Sequence, residues 1–174
     1  MASHTTPEPQ PSGDPWTRAA LQMSGFSGWV TFPSLPSSSV PDGSGVYVVV
    51  RPSPAPVTFL AVSLAGSHKG KNPTVVVPQL SVKWVPDTAV VYIGKATSLK
   101  DRLDDYRRQG AGNSAGHWGG RYIWQLSDWR ELVIGWKSTD RDPEDVECEL
   151  LDEFESTFGR LPFANLKRGR RIRP

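Results

Sequence analysis

The sequence is poor in the side chains that build disulfides and preformed metal centres. Cys148 is the only cysteine among 174 residues, and the three histidines, His4, His68 and His117, are scattered. One cysteine excludes a disulfide within the chain and a cysteine-rich zinc site. Long hydrophobic runs are missing too, since no stretch approaches the roughly 20 apolar residues of a membrane span. The N-terminus lacks the apolar core of a signal peptide. We therefore expect a cytoplasmic protein with no membrane partner.

Length and composition indicate a single folded domain. The chain is too short for two domains of ordinary size, and 37% hydrophobic content with seven tryptophans is typical of a folded protein. Residues 1–15 are polar and proline-rich, which predicts a disordered N-terminal tail. We expect one domain over residues 16–165 and a basic tail over 166–174.

The net charge of +2 hides a strong asymmetry along the chain. Residues 140–155 hold nine acids and one base, so the remainder holds nine acids and nineteen bases. The last nine residues carry five cations and no acid. A basic body with a basic tail suits a polyanionic partner, because neutralising phosphates releases counterions. A solvated tail that keeps the protein soluble explains the same charges.

Hydrophobic patterns predict an α+β fold in which a small antiparallel sheet is flanked by helices. Expected strands or extended pieces cover residues 26–32, 46–51, 57–64, 89–93, 121–126 and 131–137, with Gly94 ending the fourth. Expected helices cover residues 16–23, the stretch from the cap Ser98 to Gly110, and the stretch from the cap Asp142 to Phe158. Residues 111–120 are glycine-rich and predict a flexible loop.

Glu147 falls on the apolar side of the last predicted helix. At about 100° per residue it lies among Val146, Leu150, Phe154 and Phe158, whereas Glu149 and Glu153 face away. A carboxylate on a buried stripe costs several kcal/mol unless it is paired or bound to a metal. A metal ligand and an edge residue paired with an arginine are both consistent with this position.

Arg102 raises a similar question on the helix that begins after Ser98. It lies beside Leu99 and Tyr106 on the helical wheel. Such an arginine is either a functional cation or a boundary residue whose stem packs on the core.

Five short features occur in a suggestive order. They are Gly45-Val46-Tyr47, Tyr92-Ile93-Gly94, Arg102, Glu147, and Pro162-Phe163-Ala164-Asn165. Together they resemble the GIY-YIG nucleases over residues 45–165, and the stretch from Tyr92 to Arg102 is especially similar to the UvrC-type repair nucleases. The resemblance implies a small antiparallel sheet with helices around it and Mg²⁺-dependent cleavage of DNA, with RNA not excluded.

The resemblance also implies roles for individual side chains. Tyr47 and Tyr92 would line the active site, and one of them would help activate the attacking water. Arg102 would stabilise the charge that develops on the phosphate. Tyr106 occupies a place where the family often has a residue that assists proton transfer.

The remaining expected roles concern the metal and the substrate. Glu147 would bind a single Mg²⁺ or Mn²⁺, and Asn165 would close the site or position groups within it. Lys95 would contact phosphates. Two alternatives remain open: a nucleic-acid-binding module with weak catalysis, and a domain whose basic surface serves protein assembly.

The chain departs from the family pattern between its two tyrosine motifs. Tyr47 and Tyr92 lie 45 residues apart, where the family usually has a short hairpin. Residues 51–88 are therefore predicted to be an insertion, whose apolar runs at 57–64 and 74–80 could pair with the sheet edge. The insertion and the 111–121 loop would supply either the DNA groove or the contact of a homodimer formed on DNA, with Lys69 and Lys71 facing phosphates.

The segment from His117 to Arg121 matches no motif of the family. His117 and Arg121 are candidate substrate contacts, while a loop histidine without a role is an alternative. Trp118, in the glycine-rich loop, is a candidate for base stacking.

Overall fold

The computed structural model describes residues 13–168. Within them the helices are α1 (Arg18–Met23), α2 (Val77–Lys83), α3 (Leu99–Gly110) and α4 (Pro143–Phe158). The strands are β1 (Ser27–Thr31), β2 (Gly45–Val50), β3 (Val90–Ala96) and β4 (Val133–Ser138). Three 3₁₀ segments, Phe32–Ser37, Trp118–Gln125 and Trp129–Glu131, complete the regular structure of this part of the chain.

The four strands form one sheet in the order β1-β4-β2-β3, and every neighbouring pair is antiparallel. This confirms the predicted class, a small antiparallel sheet flanked by helices. All six residues of β2 are buried. Its run of valines explains this position, because β-branched side chains pack well on a pleated surface.

Alternate residues of β2 face two different cores. Tyr47 and Val49 belong to the core that contains the buried face of α3, together with Leu99. Val46 and Val48 belong to the core on the other side, which holds Leu21 of α1 and the apolar face of α4. The sheet is therefore covered on both faces, and the two long helices lie on opposite sides of it.

The helix boundaries follow the predicted caps. The Ser98 hydroxyl accepts a hydrogen bond from the backbone N–H of Asp101 at 3.2 Å at the start of α3. The Asp142 carboxylate accepts from Glu144 N–H at 2.8 Å at the start of α4. Gly159 then ends α4 with a left-handed backbone, φ 74°, a conformation that glycine adopts at low cost.

The strand predicted over 57–64 is wrong. This stretch makes a single isolated bridge, between Phe59 and Leu126. Irregular contacts hold its backbone instead: Leu60 N–H donates to Gln125 C=O at 2.7 Å, Ser127 N–H donates to Thr58 C=O at 3.1 Å, and the Gln125 side-chain amide donates to Leu60 C=O at 3.1 Å. The Gln125 side chain also bonds to Val75 C=O and Val75 N–H, so it links this stretch to the next apolar run.

The other apolar run of the 51–88 segment also avoids the sheet. Part of it forms α2, which has a proline in its first turn, so the predicted pairing of residues 74–80 with the sheet edge is wrong. Pro78 lacks the N–H that a strand ladder needs. The segment packs on the core that contains α3 through Ala65 and Leu80, and on the core that contains α4 through Val85.

Two further boundaries differ from the prediction. Residues 121–126 lie mostly in a 3₁₀ segment rather than a strand, and residues 123–126 are consecutively buried instead of alternating. β3 continues past Gly94 to Ala96. These two extra residues bring Lys95 into pairing with Val46 of β2.

The two predicted tails fall largely outside the described residues. Residues 1–12 and 169–174 are not described, so the expected N-terminal disorder and most of the basic C-terminus lie beyond them. Arg168, within the described part, pairs with Asp152 at 2.7 Å and with Glu155. Between residues 13 and 168 no helix is both long and apolar enough to cross a membrane.

Candidate active site

Tyr47 and Tyr92 come from adjacent strands and share one face of the sheet. Tyr47 on β2 is paired with Gly94 on β3. A Cβ atom at position 94 would lie 2.4 Å from Cζ of Tyr47, so only glycine lets the ring cross β3 here. The two tyrosine rings lie 5.9 Å apart between centroids.

Tyr106 reaches the same place from α3. Its ring centroid lies 6.3 Å from that of Tyr47 and 5.5 Å from that of Tyr92. Its hydroxyl donates to the carbonyl of Gly120 at 2.7 Å. Tyr47, Tyr92 and Tyr106 together are called the tyrosine cluster below.

All three phenols are neutral at pH 7. Burial raises the pKa of Tyr47 and of Tyr106 well above the ordinary value, and it raises the pKa of Tyr92 to about 12. Desolvation disfavours the phenolate in each case. The cluster can therefore donate, accept or pass on protons, but it contains no standing tyrosinate base.

His117 is part of this cluster, although the sequence placed it in a flexible loop. It is fully buried, and its ring lies parallel to that of Tyr106 with centroids 3.5 Å apart. Its Nε2 atom lies 2.5 Å from the hydroxyl oxygen of Tyr47. The glycines on both sides of it were the only sequence signal of a close approach.

Arg102 on α3 is half-exposed, and its guanidinium is held by the same segment. Nη1 donates to the carbonyl of Gly116 at 2.7 Å. Burial alone would lower the pKa of Arg102, but Tyr47 and Tyr92 raise it overall, so the group stays cationic. The carbonyls of Gly116 and Gly120 thus orient Arg102 and Tyr106, a role that the sequence did not reveal.

Glu147 is buried on α4, as the helical wheel predicted, with 8% of its surface exposed. No hydrogen bond or ion pair reaches its carboxylate from residues 13–168. The alternative of a paired edge residue is therefore not observed, because Arg141 pairs with Glu149 instead. Burial raises the pKa of Glu147 to about 7, Glu144 adds to this, and Lys95 and Arg102 oppose it.

A cleft of about 480 Å³ opens over this carboxylate. Tyr92, Lys95, Arg102 and Glu147 all line it. Lys95 also pairs with Glu144 at 2.9 Å across the cleft. The other acids of the lining are Asp101, Asp105 and Asp142. Tyr47 and Tyr106 are fully buried behind this surface.

Asn165 lies at the outer edge of β3 rather than in the cleft. Its side-chain oxygen accepts from Ile93 N–H at 2.9 Å, and its amide donates to Ile93 C=O at 2.8 Å. Ala164 N–H adds a bond to Val91 C=O at 2.9 Å. The final turn therefore closes an edge strand and fixes the backbone on either side of Tyr92.

Lys69, Lys71 and Arg121 lie outside the cleft lining. Lys69 and Lys71 are exposed on a tight turn closed by a bridge between His68 and Lys71. His68 stacks on Trp118 with centroids 5.7 Å apart, and the Arg121 guanidinium lies 4.2 Å from the Trp118 ring centroid. This stack connects the lysine turn to the segment that carries His117.

The residues present suit a hard divalent cation held by one protein carboxylate. Across residues 13–168, no three histidine, cysteine or acidic side chains form a ready metal cage. Glu147 is nevertheless a buried carboxylate without a partner that opens onto a cleft. Mg²⁺ commonly binds through one or two carboxylates and keeps several waters, so this donor set fits it.

Comparisons with known proteins assign no relative to the chain: no protein-family model, no curated protein and no solved structure matches it.

Proposed function

We propose that this protein is a Mg²⁺- or Mn²⁺-dependent endonuclease that hydrolyses phosphodiester bonds in DNA. The observation that carries the proposal is the meeting of Glu147 and Arg102 in one cleft beside Tyr92. These side chains come from α4, α3 and β3, and 45 residues separate Arg102 from Glu147. The resemblance to GIY-YIG nucleases implies this combination, and no hydrogen bond or ion pair within residues 13–168 accounts for the burial of the Glu147 carboxylate.

Glu147 would hold the metal in this mechanism. A bound Mg²⁺ polarises phosphoryl oxygens and neutralises charge at the scissile phosphate. The pKa of about 7 means that Glu147 is readily protonated in the metal-free protein. Its affinity for a cation therefore rises as pH increases through neutrality.

Arg102 supplies the second positive group of the cleft. Its guanidinium presents two nitrogens in a plane, a geometry that matches two oxygens of a phosphate. Hydrogen bonding of Nη1 to Gly116 C=O fixes the side chain before substrate arrives. Pre-orientation of this kind stabilises charge that develops in the transition state.

Tyr92 is the member of the tyrosine cluster that faces the cleft. As a neutral phenol it can orient the attacking water by hydrogen bonding. Lys95 stands on the same strand and contacts phosphate in this proposal when substrate displaces Glu144. Tyr106 has its hydroxyl bonded to Gly120 and supports the cluster from behind.

A plasmid assay tests the proposal. The purified chain is incubated with supercoiled DNA in Mg²⁺ or in EDTA, and DNA binding is measured in parallel. Nicking that requires Mg²⁺ supports the nuclease. Binding without nicking in Mg²⁺ or Mn²⁺ supports the nucleic-acid-binding alternative, and neither binding nor nicking leaves the assembly alternative. RNA and a branched duplex are run as further substrates, and the mass of the protein–DNA complex tests the proposed homodimer.

A further inference from the structure

We infer that His117 accepts the proton of Tyr47 during hydrolysis, so that these two residues form a proton-transfer pair behind the cleft. The inference rests on the proposed function and adds a residue that the family resemblance does not supply. His117 acts through Tyr47 and is therefore a positioning residue.

The geometry of the pair is specific. Tyr47 Oη and His117 Nε2 are 2.5 Å apart, and both side chains are fully buried. The Tyr106 ring stacks on the imidazole at 3.5 Å with an interplanar angle of 4°. A Cβ atom at position 120 would lie 2.9 Å from Cε1 of His117, so a glycine is needed on its other flank. The imidazole can therefore neither tilt away nor flip without repacking.

The inference requires the tautomer in which Nε2 accepts. Nδ1 has no hydrogen-bond partner among the described residues in either tautomer. If Nε2 carries no proton, the Tyr47 hydroxyl donates to it across the 2.5 Å contact. If Nε2 carries the proton, it donates to Tyr47 Oη, and the Tyr47 hydroxyl turns to Tyr92, with which it also interacts. A proton can pass from Tyr47 to His117 only in the first tautomer, and NMR distinguishes the two.

The surroundings keep the imidazole neutral before the reaction. The titratable and charged groups that face it are Tyr47 from β2, Tyr92 from β3, and Tyr106 and Arg102 from α3. Burial holds the pKa of His117 well below its ordinary value, and the Arg102 cation lowers it further. None of these neighbours is an anion at pH 7. A neutral imidazole has a lone pair that can accept a proton, and the lowered pKa means that His117 holds the proton only briefly.

In the proton step, a water proton moves to Tyr47 Oη while the Tyr47 proton moves to Nε2 of His117. The water oxygen forms a bond to phosphorus, and the bond from phosphorus to the leaving oxygen breaks. The leaving oxygen departs as an alkoxide and takes a proton from solvent water, while His117 ends as imidazolium and passes its proton back through Tyr47 to solvent once the product has left. Tyr47 is fully buried and does not line the cleft, so the step requires a local opening that lets a water molecule reach Tyr47 Oη.

The kinetic test compares His117→Gln with His4→Gln. Glutamine can accept a hydrogen bond from Tyr47 but cannot take up its proton, so the contact is kept and the chemistry removed. We expect His117→Gln to lower kcat by about 10²-fold with KM nearly unchanged, as removal of a general base does. His4→Gln should match wild type. In a Tyr47→Phe background, His117→Gln should have no further effect. Wild-type kcat in His117→Gln would overturn the inference while leaving the nuclease proposal standing.

An NMR test on the wild-type protein requires neither enzymatic activity nor a substituted variant. The protein labelled with ¹⁵N-histidine is examined by long-range ¹H–¹⁵N NMR at pH 7 in the metal-free state. We expect one histidine to be neutral with its proton on Nδ1 and to titrate below the ordinary histidine range. A charged ring at pH 7, or a proton on Nε2, in that buried histidine would overturn the inference, whether or not the protein cleaves DNA.

Discussion

The side-chain amide of Asn165 makes both hydrogen bonds that a neighbouring strand would make to Ile93, at 2.9 Å and 2.8 Å. Ile93 is the residue after Tyr92, on the edge strand of the sheet. One side chain therefore holds the backbone from which Tyr92 projects towards the cleft. Asn165 positions the site without touching its cleft.

Replacing Asn165 with alanine should destabilise the protein. The exchange leaves the buried N–H and C=O of Ile93 without partners, which should cost roughly 2–4 kcal/mol in the free energy of unfolding. Urea denaturation measures this decrease. Asn113→Ala serves as the control, because it removes an exposed amide whose one side-chain hydrogen bond within residues 13–168 goes to Arg108 C=O. Equal stability of the two variants would show that the edge contact is unimportant.

Arg102→Ala should lower the cleavage rate by about 10²–10³-fold, because it removes a preoriented cation from the transition state. Arg102→Lys should recover only part of the rate, since lysine lacks the planar pair of nitrogens. Single-turnover cleavage measures both. The control is Arg107→Ala, whose guanidinium pairs with Asp104 on the same helix. Cleavage at the wild-type rate by Arg102→Ala would contradict the assigned role.

The metal-free protein should become less stable as the pH rises from about 4.5 to about 7. Glu147 has a raised pKa of about 7 in the folded protein, against an ordinary value of 4.5. The folded state thus holds this proton more tightly than the unfolded state does, so ionisation of the group disfavours folding. The decrease should be on the order of 3 kcal/mol, since one pKa unit corresponds to about 1.4 kcal/mol.

Thermal unfolding in EDTA at pH 5 and pH 8 measures this effect. Glu147→Gln should remove most of the pH dependence in this range and should be the more stable protein at pH 8. Added Mg²⁺ at pH 8 should raise the Tm of wild type and leave that of Glu147→Gln unchanged. A Glu147→Gln variant that keeps the wild-type pH dependence would mean that another group titrates.

Exchanging Lys69 and Lys71 for alanine should raise KM severalfold and leave kcat nearly unchanged. Both lysines lie on an exposed turn outside the cleft, so their interactions with DNA would bind substrate and transition state equally. The log–log salt slope of DNA binding should fall by roughly 0.9 for each phosphate that the variant no longer neutralises. The control exchanges Lys83 and Lys100 for alanine, which removes the same positive charge from other parts of the protein. A drop in kcat alone would place the turn at the reacting phosphate.

Much of the framework was predictable because it depends on local patterns. The valines of β2, the caps at Ser98 and Asp142, and the helical periodicity of α4 act over a few residues. The wheel placed Glu147 on a buried face for the same reason. These features need no knowledge of distant contacts.

Two of the differences depend on distant contacts instead. Gln125 binds backbone groups of Leu60 and Val75, 65 and 50 residues away, and so links two segments that the sequence treats as separate strands. His117 meets Tyr47 across 70 residues through a glycine-rich segment. No local pattern marks a polar side chain that finds its partner at such a distance. The burial of His117 beside Tyr47 is therefore apparent only from the three-dimensional structure.

The most direct test of the nuclease proposal is the rate of plasmid cleavage in Mg²⁺ by Glu147→Gln and Glu149→Gln, two exchanges of identical size on the same helix. Glu147→Gln removes the candidate metal ligand and should abolish cleavage, while the variant stays folded and keeps a DNA affinity close to wild type. Glu149→Gln disrupts an exposed pair with Arg141 and should cleave at nearly the wild-type rate. Full activity in Glu147→Gln, or inactivity of Glu149→Gln alone, would contradict the proposed active site.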